Sequence, residues 1–200
     1  MNDDIKPYSQ ACENNKQAIL NVLKQYLKDK HSVLEIGSGT GQHAVYFALN
    51  LPSVTWQPSE LVENISGLNI WIGESGLQNI KRPIVLDVNE AWSLDDAYDT
   101  VFSANTAHII SWSHVQRMLK KVAHLLEEKG YFFLYGPFNY QGCFTSESNA
   151  RFDQWLKTRD VNSGVRNFED IDQVARSLGL CLLADHEMPA NNRMLVWHKR

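Results

Sequence analysis

Cysteine is scarce in this 200-residue sequence: Cys12, Cys143 and Cys181 are odd in number and far apart, which argues against a disulfide framework or a zinc site. All three read as unpaired thiols, and no metal is expected. Long apolar runs are missing as well. None approaches the roughly 20 residues that cross a bilayer, so no membrane association is expected. The first ten residues, MNDDIKPYSQ, lack the basic start and apolar core of a secretory signal, which points to the cytoplasm. Net positive charge is absent too. A formal charge of −4 gives no general attraction to phosphate backbones, the usual source of nucleic-acid affinity, so no nucleic-acid partner is signalled. What remains is ordinary soluble-protein composition, 44% hydrophobic and 21% charged. The length suits one domain, residues 1–200, burying about 70% of its unfolded surface.

One stretch organises the chain. VLEIGSGTG, Val33 to Gly41, runs a β-rich apolar segment into glycines at alternate positions, Gly37, Gly39 and Gly41. Such a turn lets a ligand come within contact distance of backbone, which residues with a Cβ do not permit without strain. QHAVYFALN follows with Ala44, Val45, Phe47, Ala48 and Leu51 at helical spacing, so a helix N-terminus with free N–H groups should face the same ligand. The dinucleotide fingerprint G-x-G-x-x-G fails at Gln42. The pattern is instead acid-x-G-x-G-x-G, with Glu35 ahead of the glycines.

Other elements follow in order. A helix is expected over Asn14–Leu27, preceded by the polar stretch KPYSQACENNK. That stretch serves either as a simple helix start or, through Tyr8, Ser9 or Asn15, to close a pocket. VTWQPSE reads as a second strand stopped by Pro58. Ser59 and Glu60 just after it are the candidates to accept from ribose hydroxyls, as an acidic side chain there commonly does. A helix over Leu61–Ile72 should stop at Gly73 and Gly76, and RPIVLDVNEAW reads as a buried third strand ending at Asp87. A carboxylate there can accept from an adenine amino group; the alternative is an Asx turn or helix cap. Beyond the fourth strand, SANTAHIISW places Asn105 and His108 at a strand's carboxyl end, where open α/β sheets bind ligands. Asn105 can reach the amino-acid end of a cofactor or the substrate. His108 is either a proton acceptor or a buried ring bonded to a backbone carbonyl.

Ser113 is the expected cap of a helix that Gly130 ends, before an apolar strand Tyr131–Tyr135. Gly136–Gly164 is too long for a bare loop. ESNARFDQWLKTRD within it can form a helix burying Phe152, Trp155 and Leu156, and residues 138–164 are either a lid over the substrate or a structural insertion. A helix from Asn167 to Gly179 and a strand pair, CLLADHEM and RMLVWHK, complete the chain. The turn between those strands should lie on the ligand side, making Met188, Asn191 and Asn192 possible substrate contacts.

The acidic-glycine motif, flanked by strand and helix, resembles the first motif of class I S-adenosylmethionine-dependent methyltransferases. The order of elements is similar over nearly the whole chain. That implies an α/β, doubly wound, mostly parallel seven-stranded Rossmann-like sheet whose last strand is antiparallel. More narrowly, KPYSQACENNK, VLEIGSGTGQHA, WQPSE, SANTAHI, GPFNYQG and MPANN resemble, in that order, the small family that includes methyltransferase-like protein 26. The resemblance implies S-adenosylmethionine as cofactor, Glu35 near its methionine amino group, the three glycines under it and Asp87 at its adenine. The cofactor set is then Glu35, Gly37, Ser38, Gly39, Gly41, Ser59, Glu60, Asp87, Val88 and Asn105, with His108 and Asn105 the catalytic candidates. The resemblance brings no acceptor, though a small molecule is favoured. Amine methylation of bases is marked down because SANTAHI stands where an N-P-P-Y-like motif would, and cytosine-C5 chemistry because Cys143 follows Gly142 rather than proline. The rival readings are a binding module that retains the cofactor fold without transfer, and an NAD-dependent oxidoreductase.

Overall fold

The computed structural model describes residues 6–28, 32–92, 94 and 97–200; the reading of the first five residues lies outside them. The chain folds into a seven-stranded sheet whose strand β1 (Ser32–Ile36) lies between β2 (Thr55–Glu60) and β4 (Tyr98–Ala104). β3 (Ile84–Val85) and β5 (Leu126–Gly136) extend the parallel part, and β9 (Asn192–Lys199) and β8 (Leu180–Met188) close it, giving the order β3-β2-β1-β4-β5-β9-β8. β9 is antiparallel to both neighbours, as the resemblance implied. β6 (Phe138–Asn139) and β7 (Arg166–Asn167) pair as a second, two-stranded sheet.

Alternation along the strands sorts side chains onto two faces. Leu34, Ile36, Val101, Phe132, Leu134, Leu195 and Trp197 join helix α4 (Trp112–Leu125) and α6 (Phe168–Ser177) on one face. Val33, Trp56, Phe102, Phe133, Tyr135 and Val196 meet α1 (Gln10–Tyr26) and α2 (Gln42–Asn50) on the other. Helix α3 (Ile65–Ser75) packs beside α2, with Leu68 buried. Burial on both faces is what a doubly wound parallel sheet requires. No helix among the described residues is long and apolar enough to cross a membrane.

Several local expectations are corrected. α1 begins at Gln10, earlier than Asn14, because the Ser9 hydroxyl accepts from the Cys12 N–H at 3.4 Å and caps it. Pro58 does not stop β2 but lies inside it, opposite Glu35. Trp56 and Glu60 bond toward β3, so Pro58, two residues from each, turns its missing donor the same way. Pairing with β3 begins only at Ser59, and the Gln57 side-chain amide bridges the Pro58 and Arg82 carbonyls instead, at 3.0 and 2.8 Å. The third strand is a two-residue edge, with Val85 half exposed, and it ends before Asp87.

Gly73 lies within α3, and Gly76, left-handed, ends it. Ser111, not Ser113, caps α4 by accepting from the His114 N–H at 3.3 Å. That helix stops at Leu125, because β5 starts directly at Leu126; Gly130 lies in the strand, where a Cβ would sit 2.7 Å from the Asp99 carbonyl. Helix α5 (Glu147–Arg159) forms where expected, yet Trp155 is half exposed. Its buried face is made by Asn149, Asp153 and Leu156.

Candidate functional site

β1 and β4 are neighbours whose following helices, α2 and α4, pack on opposite faces of the sheet. A crevice therefore opens at their carboxyl ends, the place where open α/β sheets bind ligands. The glycine turn fills one side of it. The three glycines are not equivalent. At Gly37 a Cβ would lie 2.7 Å from the Thr106 hydroxyl, and at Gly41 2.7 Å from a Leu68 methyl. Both are small because other parts of the protein press against them. Gly39 has φ +56°, and a Cβ there would meet nothing within 4 Å. Of the three expected bare positions, this is the one whose missing side chain leaves open space.

The turn is fastened from below. The Ser38 N–H donates to the Ser59 carbonyl at 2.9 Å, and the Ser59 N–H donates to the Ser38 hydroxyl at 3.1 Å. The Ser59 hydroxyl, fully buried, donates to the Glu35 carbonyl at 2.6 Å and is thus spent within the sheet. Glu60 holds the Gly39 N–H at 2.6 Å through one carboxylate oxygen and the Leu61 N–H at 2.8 Å through the other. Glu35 sits behind the turn, 1% exposed, accepting from the Trp56 indole at 2.8 Å. Burial pushes its carboxyl up to about 7 against the Trp56 and Ser38 hydrogen bonds, with the Glu60 charge adding to the rise.

The polar stretch KPYSQACENNK starts α1, with Ser9 as its cap, and folds against this turn. Gln42, read from the sequence only as a break in a fingerprint, accepts from the Ser9 N–H at 2.5 Å and the Thr40 hydroxyl at 3.0 Å. Its amide donates to Glu13 at 2.7 Å and to the Ser9 carbonyl at 3.3 Å. The first turn of α2 is therefore covered on this side by the chain's own residues. Upstream, Trp71 donates to the Pro7 carbonyl at 2.6 Å and Lys6 pairs with Glu74. Asn15 meets the buried His43 ring at 2.6 Å. A polar residue amid the apolar positions of α2 was the available signal for Gln42.

Asp87 lies in a tight turn: its Oδ1 accepts from the Asn89 N–H at 2.8 Å and its carbonyl from the Trp92 indole at 2.7 Å. The Asx-turn alternative thus describes its geometry. Val88 lines a separate cleft against α4. Asn105, left-handed at φ +59°, follows β4 and donates its N–H to the Tyr135 carbonyl at 2.9 Å. His108 is 5% exposed, edge-on to Phe152 with ring centres 5.2 Å apart and close beside Gly136. Burial, then the Arg166 charge, lowers its pKa to about 4, which makes it a weak proton acceptor. Burial likewise lowers His43 to about 4.

Residues 138–167 fasten onto the same end of the sheet. Arg166 donates to the carbonyls of Ala107 at 3.0 Å, Ile110 at 2.5 Å and Asn162 at 2.8 Å, and the Gly164 N–H donates to the His108 carbonyl at 2.9 Å. At the start of α5 the Asn149 amide donates to the Asn191 carbonyl at 3.1 Å. The β8–β9 turn does lie on the crevice side, opposite Gly136. Met188, however, is buried in the α1 core, and the Asn192 amide closes on the Pro189 carbonyl. No cluster of three or more His, Cys, Asp or Glu among the described residues is placed to hold a metal ion.

Solved structures share this architecture at low identity. An O-methyltransferase family protein from Burkholderia thailandensis superposes with TM-score 0.81 at 15% identity, over 92% of this chain and 56% of that one. An O-methyltransferase family 2 protein from Planctomyces limnophilus, in complex with apigenin, gives 0.81 at 14%, over 95% and 58%. CalO1, a methyltransferase of calicheamicin biosynthesis in its SAH-bound form, gives 0.71 at 13%, over 86% and 49%. The chain spans about half the length of the solved structures it matches, and the likeness shows that its fold is the Rossmann-like methyltransferase fold. A family model described as "Protein of unknown function (DUF938)" matches residues 6–199, and the chain belongs to that family.

Proposed function

We propose that the protein is an S-adenosylmethionine-dependent methyltransferase acting on a small-molecule acceptor in the cytoplasm. The observation that carries this reading is Gly39, open to space at the end of β1, with the Glu60 carboxylate wired to its N–H. The residues fit the cofactor: an uncovered backbone position at Gly39 for the adenosyl part, the Glu60 carboxylate for its ribose hydroxyls, and the Glu35 carboxyl for the positive charge of its methionine end. The matched structures described as methyltransferases, one of them SAH-bound, support the same reading. The narrower resemblance to the family of methyltransferase-like protein 26 belongs to it as well.

In this reading Glu60 accepts from the ribose hydroxyls, since the Ser59 hydroxyl is already spent. Glu35 supplies negative charge beneath the methionine end, with Gly37, Ser38 and Gly41 holding the turn's shape. Asp87 and the Val88 backbone receive the adenine, the Val88 side chain facing the α4 cleft, and Asn105 the amino-acid end or the acceptor. When bound, S-adenosylmethionine would supply a sulfonium methyl to an acceptor oxygen, nitrogen or sulfur, which Asn105 and residues 138–164 would hold beside it. Residues 138–164 act as the lid of a single domain. Their ties to the His108 loop and the β8–β9 turn hold the acceptor and exclude water. Holding reactants in line is worth about 7–11 kcal/mol, whereas a general base adds about 10²- to 10⁴-fold. With its low basicity, His108 shapes the pocket rather than taking the proton. His108→Asn should therefore keep turnover within about tenfold of wild type; a loss beyond about 10³-fold with intact cofactor affinity would assign it as the base.

Asp87 separates turn from charge. Asp87→Asn preserves the Asx turn and loses the carboxylate, whereas Asp87→Ala loses both. Both variants should bind cofactor at least several-fold more weakly by calorimetry. Unchanged affinity in both would place adenine elsewhere, and loss in Ala alone would leave only the turn's role. Calorimetry with S-adenosylmethionine, S-adenosylhomocysteine and NAD tests the class of ligand: tight NAD binding without the other two would overturn the reading. Incubating the protein and methyl-labelled cofactor with small-molecule extracts tests transfer. Cofactor binding without label transfer would favour a binding module.

A further inference from the structure

A cleft of about 410 Å³ opens between residues 88–92 and the flank of α4. Its floor is apolar, formed by Val88, Trp92 and Leu125, and its rim carries Arg117, Lys120, Lys121 and His124. Those four fall at i, i+3, i+4 and i+7, one stripe of the helix. The volume lies within the range of small-ligand sites. None of the described lining residues is acidic.

Several cations elsewhere on the described surface pair with carboxylates: Lys16 with Glu13, Lys157 with Asp153, Arg176 with Asp172 and Arg193 with Asp185. Along this stripe, among the described residues, Arg117 donates to the neutral Asn89 side chain at 2.5 Å and Lys121 to the Glu90 backbone carbonyl. Neither bond cancels a charge. Lys121 also lies 4.9 Å from the Trp92 ring centre, so charge and aromatic surface adjoin. A protein of net charge −4 that gathers uncompensated cations around an apolar slot offers complementarity to one kind of molecule, a flat apolar body with a strongly negative end.

We propose that this cleft is a second binding site for a phosphate monoester of a planar group, with the ring against Trp92, Val88 and Leu125 and the phosphate between Arg117, Lys120 and His124. Lysine and arginine recognise phosphate by charge and by donated hydrogen bonds, and histidine donates in either protonation state. The site is separate from the glycine crevice and shares only Val88 with the residues assigned there.

Calorimetry on the full chain with AMP, phenyl phosphate, adenosine and inorganic phosphate, each with and without saturating S-adenosylhomocysteine, tests this. AMP or phenyl phosphate should bind below about 1 mM and weaken as salt rises. Adenosine and inorganic phosphate should each bind at least about tenfold more weakly, and S-adenosylhomocysteine should leave the affinity within about twofold. The K120A/H124A double variant, both exposed positions, should lose about tenfold or more. Displacement of AMP by S-adenosylhomocysteine, equal binding of adenosine, or no heat with either ester up to about 10 mM would overturn the proposal. Those arms use the wild-type chain and decide the matter even where the variant folds poorly.

Discussion

Gly39→Ala should lower affinity for S-adenosylmethionine and S-adenosylhomocysteine at least about tenfold while costing the fold only about 1–2 kcal/mol, the strain of an alanine at positive φ. The two effects separate because the space over Gly39 is clear of protein, so the added methyl projects where the ligand is proposed to lie. Gly37→Ala and Gly41→Ala should behave differently. Their methyl groups would press on Thr106 and on Leu68 and Trp71, so both should lower thermal stability directly. A calorimetric titration beside a thermal melt on the three variants checks this. Equal stability loss in all three, or unchanged ligand affinity in Gly39→Ala, would show that the turn is only a fold element.

Glu35→Gln should raise stability at pH 8 by about 3 kcal/mol and weaken S-adenosylmethionine binding there by about tenfold. The carboxyl titrates near 7 when folded and near 4.5 when unfolded. Below pH 4.5 both states hold the proton and nothing is lost; as pH rises from 4.5 to 7 the unfolded chain releases it first, and stability falls. Glutamine keeps an acceptor for Trp56 and removes that loss. His43 and His108 work the opposite way. Their pKa values fall from 6.5 to about 4 on folding, so the stability they carry is whole above 6.5 and is lost as pH drops toward 4.

Between pH 7 and 5 the two trends partly cancel in the wild type, which should lose about 1–2 kcal/mol. Glu35→Gln, with one arm removed, should lose about 4 kcal/mol over the same range. Urea unfolding at the two pH values measures both. Cofactor affinity of the wild type should rise from pH 6 to 8 as the carboxylate forms under a cationic ligand. A flat affinity profile would remove Glu35 from the site.

The parts of this molecule that are local in sequence were legible. The residue types of Val33–Gly41 are enough to read a strand and a glycine turn there, and the alternation of helices with apolar strands set the sheet's type. Contacts between distant segments were not. Gln42 reaches back 33 residues to Ser9, and Thr106 closes on Gly37 across the β1–β4 crevice. No periodicity encodes such pairings. Pro58 misled because the rule against proline in a ladder assumes a partner on both sides, whereas pairing with β3 starts one residue later. Trp155 misled because apolar spacing does not distinguish a face packed by leucine from one held by Asn149 and Asp153 through hydrogen bonds. The bond from the Ser59 hydroxyl to the Glu35 carbonyl is likewise a contact between separate strands that the sequence does not announce.

The most direct measurement is a crystal of the protein soaked with S-adenosylhomocysteine. Density for one molecule should lie across the backbone at Gly39, with the Glu60 carboxylate against the ribose hydroxyls. An empty crevice, or a ligand seated only in the α4 cleft, would contradict the proposed cofactor and with it the activity.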